Sequence, residues 1–127
     1  MHRKESEAAL TGVKAGITGH IQQNDFRDYY EPSDKKSALG EGVTGAVYEW
    51  KHKTTGAKVA VKRVRKRGMS LDDILLLKQE IQLLAMLDHP NIVKIREAFE
   101  DDAAITIVME ICSGFLFTCY QIHVLNV

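Results

Sequence analysis

Three glycines, Gly40, Gly42 and Gly45, stand directly before the alternating run Val47-Tyr48-Glu49-Trp50-Lys51-His52, and that order restricts the fold more than any other feature. Glycines at this spacing let a backbone turn tightly and approach an anion without Cβ obstruction. A dinucleotide-binding fold needs a helix straight after the third glycine, so that the pyrophosphate meets a helix N-terminus. Here a strand pattern follows instead. A Walker-type loop needs Lys-Ser or Lys-Thr after Gly45, where the chain has Ala46-Val47. What remains is a glycine-rich hairpin. Thr54-Thr55-Gly56-Ala57 then turns the chain into a second alternating run, Lys58 to Val64.

The rest of the chain arranges itself around that hairpin. Residues 1–28 are polar, carry several glycines and show no sustained period, which reads as a flexible leader. Order is expected to begin near Tyr29 and Tyr30, pass the breaker Glu31-Pro32-Ser33-Asp34 and enter a strand at Lys36 to Leu39. Ser70-Leu71-Asp72-Asp73 has capping-box spacing, and Ile74, Leu77, Ile81 and Leu84 recur along one face, predicting a helix from Asp72 to about Leu87. Asp88-His89-Pro90-Asn91 stops that pattern. Ile92 to Phe99 and Ala104 to Glu110 read as two strands joined by the acidic turn Glu100-Asp101-Asp102. The expected fold is α+β, a five-stranded antiparallel sheet carrying one main helix. Such a core is small.

Composition removes other function classes. Lys plus Arg and Asp plus Glu both number 17, so no global field argues for nucleic acid or an anionic membrane. The run Lys62-Arg63-Val64-Arg65-Lys66-Arg67 reads as a strand end entering a solvated loop. Cys112 and Cys119 fit neither a metal pair nor a secreted disulfide framework, and five scattered histidines lack ligand spacing, so no metal site is predicted. No stretch approaches the roughly 18 apolar residues of a membrane span. With no signal-peptide pattern after Met1, the expected location is cytoplasmic.

The hairpin is followed, 17 residues after Gly45, by Val59-Ala60-Val61-Lys62, and this pairing of glycine-rich loop and strand lysine resembles the protein kinases. The resemblance implies that Lys62 holds the α- and β-phosphates of ATP and pairs with Glu80 on the helix. It implies a nucleotide site built from Leu39, Gly40, Glu41, Gly42, Val43, Thr44, Gly45, Val47, Ala60, Lys62, Met109, Glu110 and Cys112. Leu39, Val47 and Ala60 would sandwich adenine, with Met109 behind the nucleotide. Backbone groups of Glu110 and Cys112 would bond its edge. Leu84, Ile95 and Met109 look like parts of the apolar spine joining the two kinase lobes. Leu39-Gly40-Glu41-Gly42, Asp88-His89-Pro90-Asn91-Ile92-Val93 and Val108-Met109-Glu110-Ile111-Cys112 are most similar to calcium-dependent and calmodulin-dependent serine/threonine kinases.

The resemblance covers Tyr29 to Gly114, an N-terminal lobe. Thr44 stands where many relatives carry an aromatic, and Ser113-Gly114-Phe115 replaces the segment leading to their ribose-binding acid. No H-R-D, D-F-G or A-P-E segment follows, so the residues that act as base and hold Mg²⁺ in the complete family are not among these 127. The apolar stretch 115–127 reads as a divergent tail in place of the second lobe's start, as a truncated or misread transcript would produce. The 127 residues are therefore expected to bind ATP and to be inactive alone. Two other readings stand beside this one: a non-catalytic module engaging another kinase or regulatory protein through its exposed surface, and a non-functional truncated product. A protein substrate would require the second lobe.

Overall fold

The structure, a computed structural model, describes residues 21–42, 45–87 and 94–111. Its centre is an antiparallel ladder of long strands, β4 (Gly45–His52), β5 (Lys58–Arg65), β6 (Ile95–Glu100) and β7 (Ala104–Glu110). Three short strands complete it: β1 (Ile21–Gln22), β2 (Tyr30–Pro32) and β3 (Gly40–Gly42). The sheet has seven strands in the order β1-β6-β7-β5-β4-β2, with β3 also on β4. One helix, α1 (Leu71–Met86), packs on one face.

Alternation along the strands divides the side chains between two cores. Val47, Ala60, Val64, Ile105, Ile107 and Met109 face α1 and meet Leu77, Ile81 and Ala85. Val59, Val61 and Val108 point the other way and meet Phe26, Tyr30 and Phe99. A bulge between Ile95 and Glu97 shifts the β6 register. It puts Ile95 and Ala98, three residues apart, into the same helix-facing cluster. α1 starts where the capping box predicted: Ser70 Oγ accepts from the Asp73 amide, and the Asp73 carboxylate accepts from the Ser70 amide.

Three expectations are corrected. The α+β class with one main helix stands among the described residues, but the sheet has seven strands rather than five, and β1 runs parallel to β6. The leader does not extend to residue 28: Ile21 and Gln22 pair with Ala98 and Phe99, and Phe26 is 1% exposed against the outer core. Aromatic burial offsets the polar composition of that segment, and Asp25 caps its short 3₁₀ turn, Phe26–Asp28. Residues 1–20 lie outside the described residues. The strand expected at Lys36 to Leu39 forms instead at Gly40–Gly42. The reason is competition for one edge of β4, whose far half is taken by β2 through Pro32↔Trp50 and Tyr30↔His52. Only the half beside the glycine turn is left for β3, and the Leu39 amide closes that ladder on the Val47 carbonyl.

Candidate phosphate-binding site

The glycines sit on a paired hairpin. Gly40 lies opposite Val47 and Gly42 opposite Gly45, and Val43 and Thr44 between them lie outside the described residues. Gly45 has φ +138°, and a Cβ there would stand 3.4 Å from the Arg63 carbonyl. The positive φ restricts the position to glycine, while the 3.4 Å approach is an ordinary van der Waals contact. Across the next ladder Val47 faces Lys62, which sets the lysine in register with the hairpin.

Lys62 belongs to β5 and is 0% exposed. Its Nζ has no hydrogen-bond partner among the described residues. Burial pushes its pKa below the ordinary lysine value, as desolvation disfavours an uncompensated ammonium. The apolar residues expected around adenine gather beside it: Val47, Ala60 and Met109 are buried in the helix-facing cluster, with Leu39 packed against them. Leu84 and Ile95, the expected spine residues, join the same cluster. Glu41 is exposed on β3. The Glu110 amide donates to the Lys94 carbonyl at 3.0 Å, so that amide is already engaged. Cys112 lies outside the described residues.

The expected Lys62–Glu80 pair is not made. No ion pair joins them within 4.0 Å, and Glu80 forms none with any other described residue. Burial pushes the Glu80 carboxyl up, so both groups are shifted toward neutrality by desolvation, without the mutual attraction that would reverse it.

A different cluster ties α1 to the sheet. Glu100, at the end of β6, accepts from Lys78 Nζ on α1 at 2.6 Å and from Lys66 Nζ, in the loop before α1, at 2.7 Å. Gln23 Nε2 adds a longer bond of 3.4 Å. Burial alone would raise the Glu100 carboxyl, but the bonds from Lys66, Lys78 and Gln23 more than reverse that and hold it below the usual range. Sequence reasoning missed this cluster. Glu100 read as a turn residue and Lys66 as part of a solvated basic run, and nothing local links Lys78 to a strand 22 positions away.

The basic run is accordingly split. Arg63 points to the outer face, donating to Thr106 Oγ1 at 2.9 Å and to Asp101 at 3.3 Å, with its guanidinium over the Phe26 ring. Arg65 and Arg67 line an outer groove of about 610 Å³ with Tyr48 and Trp50. Neither Lys62 nor Glu80 lines it. The buried cation is the stronger pointer to function, because an unpaired interior charge is far costlier than an open groove. Among the described residues no three His, Cys, Asp or Glu side chains converge as metal ligands. The Mg²⁺ that accompanies ATP in kinases therefore finds no fitting donor set among them.

Comparison with known proteins gives a consistent result. The protein kinase domain family matches residues 33–125, running past Gly114 into residues outside those described. Calcium-dependent protein kinase 3 of Plasmodium yoelii yoelii is 36% identical over 103 residues, covering 81% of this chain and 18% of that protein. Calcium-dependent protein kinase 4 of Solanum tuberosum is 41% identical, covering 89% of this chain and 22% of that protein. The chain thus spans about a fifth of the length of these curated relatives. Among solved structures, the Caenorhabditis elegans twitchin kinase fragment superposes with a TM-score of 0.62 at 28% identity, over 80% of this chain and 22% of that one. No helix of the described residues is long and apolar enough to cross a membrane.

Proposed function

This chain belongs to the protein kinase family, and on that premise we propose that its described residues are the ATP-gripping lobe of a serine/threonine kinase. One observation carries the reading: Lys62 Nζ is a fully buried cation without a partner among the described residues, in register with a glycine hairpin. An interior ammonium requires an anion, and the hairpin backbone beside it can accommodate one closely. Lys62 would neutralise the α- and β-phosphates, the amides of 40–45 would cradle them, and Leu39, Val47, Ala60 and Met109 would exclude water from the adenine. Glu110 and Cys112 would offer backbone groups to the adenine edge, Glu110 through its carbonyl. The complete family transfers the γ-phosphoryl group to protein Ser or Thr, and these 127 residues alone would bind the nucleotide without transferring it.

Mass action supplies the test. ATP at about 100 times its dissociation constant should stabilise the native chain by about 2.7 kcal/mol and raise its melting temperature. Lys62→Met should remove that shift, and neither chain should phosphorylate a generic Ser/Thr substrate. An equal ATP shift in both chains would refute the assignment.

A partner-binding reading is favoured by the outer side of α1. Leu71, Leu75, Leu76 and Leu83 are 79%, 54%, 58% and 64% exposed. A helix apolar on both sides is characteristic of one covered on both. Another kinase or regulatory protein would fit there. Leu76→Glu with Leu83→Glu should weaken co-sedimentation with a full-length serine/threonine kinase without lowering the melting temperature; a collapse of the fold would instead make these leucines part of the core.

A further inference from the structure

We propose that the outer groove is a docking site for an acidic peptide segment of a partner protein, held by Arg65 and Arg67 and packed against Tyr48 and Trp50. The groove opens on the sheet face away from α1 and does not depend on the ATP reading.

Five basic residues fall within positions 62–67, and three of them are engaged inside the fold. Lys62 is buried, Lys66 bonds Glu100 and Arg63 bonds Asp101. Arg65 and Arg67 are exposed and make no ion pair among the described residues. Both line the groove, and no carboxylate among the described residues lines it with them. Positive charge gathered at a concave surface without a counter-charge favours an anionic occupant.

The rest of the lining says which anion. Alternation along β4 turns Ala46, Tyr48 and Trp50 to one face, and Val61 stands opposite Tyr48 on β5. The Phe26 ring backs Trp50 at 4.9 Å between centroids, while Tyr48 stays 43% exposed. Ala46, Val61 and Met69 make much of the remaining surface apolar. Trp, Tyr and Arg are the side chains that most often dominate the energy of protein interfaces, and a guanidinium takes a carboxylate through paired bonds. The complement is a run of carboxylates interrupted by an apolar side chain. Nucleic acid fits less well, because a polyanion draws its affinity from many free cations, and here two are free in a chain of 17 basic and 17 acidic residues. Positions 1–20 hold three Lys or Arg against two Glu, and 112–127 hold no Asp or Glu, so neither stretch supplies the occupant.

Trp50 is the sole tryptophan, so its emission reports on this groove directly. The probe is a synthetic Glu-Asp-Glu-Leu-Glu-Asp-Glu peptide, titrated into the chain at low salt. It should shift the Trp50 emission, and Arg65→Gln/Arg67→Gln should weaken its binding about tenfold. Tyr48→Ala, which removes no charge, should weaken it several-fold. The charge-matched control Lys35→Gln/Lys53→Gln alters two exposed lysines outside the groove and should bind as wild type does. Lys62→Met should also bind the peptide normally, so a failed ATP site leaves this one standing. Absence of an emission shift would overturn the proposal, as would equal weakening in the lysine control. Tighter binding of an oligothymidylate of equal charge would assign the groove to nucleic acid instead, and displacement of the peptide by ATP would assign it to nucleotide; either result overturns the peptide site.

Discussion

Val47 on β4 lies directly opposite Lys62 on β5, so the glycine hairpin and the buried lysine share one register. Two residues back from Val47 is Gly45, whose φ of +138° only glycine adopts easily, with the Arg63 carbonyl 3.4 Å from where a Cβ would be. The glycine hairpin and the lysine are therefore one mechanical unit.

Gly45→Ala is expected to cost about 1–3 kcal/mol through backbone strain. Gly56 also has positive φ, but its +75° lies close to the left-handed region that other residues can enter, whereas +138° lies well outside it. Gly56→Ala should cost less, about 1 kcal/mol. Urea denaturation of the two variants against wild type gives the ranking, and a larger loss at Gly56 would contradict the geometry.

The buried lysine makes stability depend on alkaline pH. Unfolded, Lys62 keeps its proton up to its ordinary value of 10.5; folded, it releases it at a lower pH. Between those two points the unfolded chain binds more protons, so stability rises with pH; below the folded value this contribution is at its smallest. Tyr30 acts oppositely above 10, because burial and its bond to Glu97 keep its hydroxyl protonated. Comparison with Lys62→Met cancels that effect. The wild-type chain should gain stability relative to Lys62→Met as pH rises toward 10.5, and saturating ATP should flatten the gain by giving the ammonium its partner. Denaturant midpoints across this pH range provide the check.

Phe26 tests whether the N-terminal segment is structural. It is 1% exposed, touches Trp50 at 4.9 Å between centroids, and lies under Arg63. Phe26→Ala should cost about 3–5 kcal/mol, a large share of what so small a domain possesses. Thermal melting at the level of wild type would return residues 21–28 to the status of a leader.

That segment marks the boundary of what the sequence made legible. β4, β5 and α1 follow from sustained periods of 2 or 3.6, β7 from a short apolar run buried on both faces, and the Ser70 cap from spacing alone. β1 and β2 are two and three residues long, too short for any period, and their order comes from Phe26 and Tyr30 reaching a distant sheet face. β3 was displaced from Lys36–Leu39 because β2 occupies half of its edge, a competition no local pattern records. At the site, spacing placed Lys62 on a strand and Glu80 on a helix. The ion pair that ties that helix to the sheet joins Lys78 to Glu100, 22 positions away, and could not be read from Lys62 or Glu80.

The most direct test of the account is backbone NMR of the chain as ATP is added. Binding at the lysine site predicts the largest amide shifts at Gly40, Gly42, Gly45, Ala60 and Lys62, all lost in Lys62→Met. Shifts concentrated instead at Tyr48, Trp50, Arg65 and Arg67 would place the nucleotide in the outer groove and contradict the account.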